Sequence, residues 1–246
     1  MNIKLIIAYD GTHFFGWQKT SDGPTIEETL QQLLETIYQH PIQLQAASRT
    51  DKGVHAEGQV VNYRCKKKKD LRQLKFSLNQ MLPKMIRILI IKEVADDFHA
   101  TLDATFKEYH YRVTTTHVQS PFERHLSWHC YYPFDLDAMK QAALLLLGTY
   151  DFSSFCNTHS SRNMNRICTI KRLDITYQSD QLKFEIEGNN FLYKMVRNII
   201  GTLIYVGIGK FSVQHVENLL IQKMRKFAGI TAPAHGLVLK HVRYKI

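Results

Sequence analysis

The spacing of apolar positions changes along this chain in a regular order, and each change marks an element. Asn2 to Tyr9 is β-rich and opens the chain as a strand. Thr25-Ile26-Glu27-Glu28 has the form of a capping box, and Ile26, Leu30, Leu33, Leu34 and Ile37 then recur at helical spacing. Ile42 to Ala47 and Gly58 to Tyr63 read as strands. A second helix starts at Asp70, carries Leu71, Leu74, Leu78 and Met81 on one side, and is closed by Pro83. Ile86 to Val94 is the next strand.

The second half repeats this order loosely. Tyr109, Tyr111 and Val113 alternate with His110 and Arg112, as in a strand. Leu136 to Leu147 is predicted as a helix ended by Gly148, with Met139, Ala143, Leu146 and Leu147 as its inner stripe. Thr169 to Tyr177 and Gln181 to Gly188 form a predicted hairpin about Ser179-Asp180, and Asn190 to Val206 a long helix. Hairpins interleaved with helices predict an α+β protein, with helices covering mixed or antiparallel sheets. Two similar halves are expected to meet near residue 100, although no sequence repeat relates them.

Composition narrows the chemistry. The 246 residues hold 32 Lys and Arg against 22 Asp and Glu, a formal charge of +10. That excess favours a polyanionic partner, nucleic acid or an acidic membrane surface. The longest apolar run, Ala142 to Leu147, is too short to span a bilayer, and Ile3 to Ala8 is broken by Lys4, unlike a signal peptide. The four cysteines lack CxxC spacing and the twelve histidines show no HExxH, so neither a disulfide framework nor a metal site is expected. A cytoplasmic, metal-free protein is the expectation. The densest basic clusters are Lys66, Lys67, Lys68 and Lys69 with Arg72, Arg162 with Arg166, Lys171-Arg172, and Lys223 with Arg225 and Lys226. Each cluster could be a solvated face; together they make an RNA-sized electrostatic footprint plausible.

The most informative stretch is Ala47-Ser48-Arg49-Thr50-Asp51-Lys52-Gly53-Val54-His55-Ala56. It sets one carboxylate, Asp51, in a short polar turn between two strands, flanked by cations that favour its charged form. The segment resembles the catalytic loop of the TruA family of tRNA pseudouridine synthases. Tyr9-Asp10-Gly11 with Gly16-Trp17-Gln18, Lys107 to Tyr111, Phe191 to Gly201, and Ala232 to Leu237 resemble that family's other motifs, in family order.

The resemblance implies a pseudouridine synthase fold: two similar α/β halves with mixed or antiparallel sheets, flanking helices and a central active-site cleft. Residues 1–100 would carry the Asp loop. Residues 101–246 would carry the Tyr strand, the Arg helix and the contact of a homodimer. The implied reaction isomerises uridine to pseudouridine in the tRNA anticodon stem-loop, at positions 38, 39 and 40, without cofactor. Asp51 matches the essential aspartate and Tyr109 the active-site tyrosine, a platform for the flipped base. Arg197 is the implied charge partner of Asp51, and Arg49 would fill the gap left by the base or clamp its phosphate. Tyr111 is expected to be a core residue and His55 to shape the loop. Ser48, Lys52 and His110 depart from the family's usual residues, and Ser48 raises the prospect of an altered backbone. Two other classes compete: a non-catalytic RNA-binding or RNA-folding protein, and a glycosidase or nuclease using the same carboxylate. The second would need a further acidic group that no comparable motif supplies.

Overall fold

Alternation places Ile3, Leu5, Ile7 and Tyr9 on one side of β1 (Asn2–Tyr9), and all four are buried. The computed structural model describes residues 1–157 and 165–245. They form two units, Met1–Thr105 with Val238–Ile246, and Phe106–Leu237.

In the first unit β1 lies between two antiparallel partners, β3 (His55–Arg64) and β4 (Ile86–Val94). β2 (Leu44–Ala46) pairs antiparallel with the end of β3. β10 (Leu237–Tyr244) pairs in parallel with its start, Val238 opposite His55 and Leu239 opposite Ala56. Helix α1 (Ile26–Tyr38) starts where the capping box predicts, the Thr25 side chain accepting from the Glu28 N–H. Helix α2 (Leu71–Met81) starts at Asp70, whose carboxylate accepts from the N–H groups of Arg72 and Gln73. Its buried stripe is Leu74 and Leu78; Met81, predicted to share it, is exposed. Asn79 ties α2 to β4 by exchanging two hydrogen bonds with the Ile88 backbone, at 2.9 and 2.8 Å, beside a register shift in the β1–β4 pairing.

The second unit is built on the antiparallel order β5 (Ala104–Thr114), β9 (Gln181–Gly188), β8 (Ile167–Gln178), β7 (Gly148–Asp151). A short β6 (Trp128–His129) runs parallel to β5. The β8–β9 hairpin turns at the predicted residues, Ser179 and Asp180 taking φ of 50° and 58° as a tight primed turn requires. Helix α3 (Leu136–Leu144) is shorter than predicted, because the chain turns before Gly148, at φ 118°, leads into β7. Helix α4 (Met195–Gly207) begins five residues after the predicted start, behind a left-handed Lys194. It is apolar around most of its circumference and almost wholly buried. Helix α5 (Val213–Gln222) follows, capped by Ser212. Among the described residues no helix is long and apolar enough to cross a membrane.

Candidate active site

In the first unit Asp51 sits, half-buried, in the connection from β2 to β3. The Val54 N–H donates to the Asp51 carbonyl at 3.1 Å, closing a turn whose third residue, Gly53, has φ of 78°. The turn after β1 braces this loop. The Trp17 N–H donates to the Thr50 carbonyl (3.0 Å) and the Gly53 N–H to the Phe14 carbonyl (3.3 Å). Gly16, at φ 93°, lies so close that an added Cβ would stand 2.7 Å from the Thr50 carbonyl oxygen and 3.0 Å from the Asp51 carbonyl carbon. The Tyr9 and Thr50 hydroxyls meet at 2.8 Å in the interior. On the other flank Gln59 spans Ser48, accepting from its N–H (3.2 Å) and donating to its carbonyl (2.6 Å).

Ser48 and Lys52 are both accommodated on this loop. Ser48 is not among the residues with left-handed backbone, so no glycine is needed there. Lys52 directs its ammonium onto the Phe15 ring, 3.5 Å from the centroid. His55 is buried and accepts from the Gly11 N–H through Nδ1 at 3.1 Å, close to the Asp10 carboxylate. Burial would raise the Asp10 pKa, but the Thr12 hydroxyl and amide, with His55 and His13 nearby, hold it below the usual carboxylate value. Arg49 is exposed on the same loop.

In the second unit Tyr109 is buried on β5, its ring edge-on to Phe191 with centroids 5.2 Å apart. Gly188 makes room for the Phe191 ring, since a Cβ there would come 2.9 Å from it. Tyr111 belongs to the core, as expected, and donates to the Pro233 carbonyl at 2.8 Å. Burial pushes its hydroxyl pKa well up, only partly opposed by the Arg197 charge. Arg197 is in the first turn of α4. Its Nε donates to the Ala232 carbonyl (2.7 Å), and the Ala232 N–H donates back to the Arg197 carbonyl (3.1 Å). The 109–111, 191–201 and 232–236 motifs thus meet within one unit.

The other face of β5 carries a charge cluster that sequence reading missed. Arg172 donates to Glu108 (2.8 Å), Glu185 (3.0 Å) and Asp174 (3.2 Å), and His110 Nε2 lies 2.8 Å from Glu108. Alternation along β5 was the available signal, since it sends Glu108 and His110 to one side together. Among the described residues Glu108, His110 and Glu185 have donor atoms close enough to hold a cation, but the Arg172 guanidinium already bridges both carboxylates.

The basic residues differ in setting. Lys66, Lys67 and Lys68 are exposed after β3, whereas Lys69 is half-buried with its ammonium 5.5 Å from the Tyr38 ring. Arg166 is half-buried and donates weakly to Ser153 (3.4 Å). Arg162 lies outside the described residues.

A family model described as tRNA pseudouridine synthase matches residues 5–103 and 142–245. The chain belongs to this family. Relatives named tRNA pseudouridine synthase A agree with the assignment. One of them, tRNA pseudouridine synthase A 2 of Protochlamydia amoebophila, is 50% identical, covering 99% of this chain and 94% of its own. Another, from Thermoanaerobacter sp. (strain X514), is 41% identical, covering 99% of both chains. A crystal structure of a Cbf5-Nop10-Gar1 complex aligns at a TM-score of 0.42 and 12% identity, over 96% of this chain and 48% of that one. That likeness is too distant to add to the family assignment. Among the site residues expected of a tRNA pseudouridine synthase, Asp51 and Arg197 lie inside the two matched segments, and Tyr109 lies in the stretch between them.

Proposed function

We propose that this chain isomerises uridine to pseudouridine in the anticodon stem-loop of tRNA, at positions 38, 39 and 40, with Asp51 as the nucleophile. The observation that carries the reading is the bracing of the Asp51 loop from two sides, by the Gly16 turn and by Gln59. Bracing of this kind suits a group whose position matters more than its packing.

The reaction breaks the C1′–N1 bond, turns the freed uracil and rejoins it through C5, which then loses its proton. Asp51 can begin it by attacking C1′, by removing the C2′ proton to give a glycal, or by adding to C6. No cofactor is required. Tyr109 is proposed as the platform for the extracted base, with its hydroxyl able to move a proton. Arg197 is proposed as the cation that keeps Asp51 charged, and Arg49 as the residue that fills the vacated stack or holds its phosphate. In this reading the first unit supplies the nucleophile. The second supplies the tyrosine strand, the arginine helix and the contact with a second copy of the chain.

We place the enzyme in the cytoplasm as a homodimer that grips tRNA phosphates through Lys66, Lys67, Lys68, Lys69, Arg162 and Arg166. The exposure of Lys66 to Lys68 supports that role most directly. The test uses tRNA tritiated at C5 of uridine, without added metal or cofactor. Tritium release is expected from the wild type and not from Asp51→Asn. Tight tRNA binding without release by either protein would favour the non-catalytic RNA-binding reading.

A further inference from the structure

We infer that Arg225 is a positioning residue for Arg197, holding the 228–232 segment whose Ala232 carbonyl fixes the Arg197 guanidinium; this rests on the reading of Arg197 above. In sequence Arg225 looks like a member of a surface basic cluster with Lys223 and Lys226. In the structure its planar fork is turned inward and fully engaged. Nε donates to Asn157 Oδ1 (3.0 Å), one terminal nitrogen to the Gly229 and Ala228 carbonyls (2.8 and 3.5 Å), and the other to Asn198 Oδ1 (2.9 Å) and Thr231 Oγ1 (3.0 Å). Every one of these acceptors is neutral, and burial lowers the Arg225 pKa. A half-buried guanidinium with only neutral acceptors gains nothing from charge pairing, so geometry is the better account of its presence.

The bonds lead to Arg197 by short steps. Asn198, its neighbour on α4, is fully buried and donates to the Phe155 carbonyl and Asn157 Oδ1. Thr231 donates to Asn198 Oδ1 at 2.7 Å, and the Gly229 N–H donates to Thr202 Oγ1 at 3.0 Å. The segment lies directly on the helix: a Cβ on Gly201 would fall 1.8 Å from the Ile230 carbonyl oxygen. It ends at Ala232, which exchanges two hydrogen bonds with Arg197. Arg225 therefore clamps one end of a five-residue segment whose other end sets the angle of the Arg197 side chain.

Arg225→Lys keeps the charge and loses the fork. Single-turnover tritium release, with enzyme in excess over C5-labelled tRNA, is expected to slow on the order of tenfold or more. The tRNA affinity is expected to stay within about twofold, with an unchanged salt slope. Arg197→Lys and the double variant are measured beside it, and the double is expected to be no slower than the slower single. Thr231→Val removes one acceptor while leaving the guanidinium. It is expected to give a smaller loss of rate, and it stands in if Arg225→Lys does not fold. A folded Arg225→Lys or Thr231→Val at wild-type rate, while Arg197→Lys is impaired, overturns the inference. So does a double variant whose losses multiply, or an affinity loss with a slope shallower by about one, which would make Arg225 a phosphate contact. If Arg197→Lys alone is fully active, the reading of Arg197 fails and this inference fails with it.

Discussion

The Tyr9 hydroxyl stands 2.8 Å from Thr50 Oγ1 in the interior of the first unit, joining the end of β1 to the residue before Asp51. Forty-one positions separate them in sequence. Tyr9→Phe keeps the ring and removes this bond. It is expected to lower stability by about 1 kcal/mol and to slow tritium release roughly five- to tenfold by loosening the loop. Thermal unfolding and single-turnover kinetics on the same preparation check both numbers.

Gly16→Ala is expected to be more severe. Its φ of 93° strains any side chain, and the added Cβ would press on the backbone of Thr50 and Asp51. A destabilisation of about 2 kcal/mol is expected, with activity falling further than stability explains. Urea unfolding gives the first quantity, and release rates well below the unfolding transition give the second. An active, fully stable Gly16→Ala enzyme would show that the two turns do not hold one another.

Acid should weaken the second unit through its charge cluster. Burial would raise the Glu108 pKa, but His110 and Arg172 more than offset it, so the folded value is lowered. Lys183 is the main cause of the lowered Glu185 value, with His110 and Arg172 adding to it against burial. Folded pKa values below the unfolded ones mean that the unfolded chain binds more protons in that range. The stabilisation is therefore present above the ordinary glutamate value, about 4.3, and is lost as pH falls through the folded values. Unfolding midpoints from about pH 6 to about pH 3 should decline, and less steeply in Arg172→Met.

The cysteines should be inert in the native protein. All four are buried and free. Burial pushes the Cys130 thiol up to about 11, burial with Cys156 and Asp151 nearby does the same for Cys168, and burial raises Cys156 as well. The reactive thiolate of these three is then scarce at neutral pH, and Cys65 is shielded by its burial. Iodoacetamide near pH 8 is expected to leave these residues unmodified until denaturant is added, as read by mass spectrometry. Rapid native labelling of Cys130 would contradict the packing around it.

Local chemistry made much of this architecture legible. The Thr25 and Asp70 caps, the Ser179-Asp180 turn and the strand from Ile86 to Val94 are written in short-range signals, and the structure has each of them. What local pattern missed depends on distant residues. β7 is only four residues long, and β10 draws its place from a parallel pairing with β3 that no periodicity encodes. The start of α4 was misplaced because Phe191 and Leu192 look helical by apolarity, while Phe191 is used to support Tyr109. Motif resemblance marked Asp51, Tyr109 and Arg197 by residue type. It could not mark Gln59 or Arg225, whose roles lie in hydrogen bonds to the backbone of other segments. Arg225 even read as surface charge, since the inward turn of its side chain is invisible in a cluster of lysines and arginines.

The first unit is discontinuous in sequence, and this has a consequence for how the protein is made. β3 leaves the Asp51 loop at His55, and the strand that pairs with His55 and Ala56 arrives only at Val238 and Leu239. While the ribosome is building the second unit, the edge of β3 next to Asp51 lacks its native neighbour. A nascent chain can therefore hold all of residues 106–237 before the support of its Asp51 loop is complete. Competence for catalysis should appear late, when residues 238–244 emerge and dock.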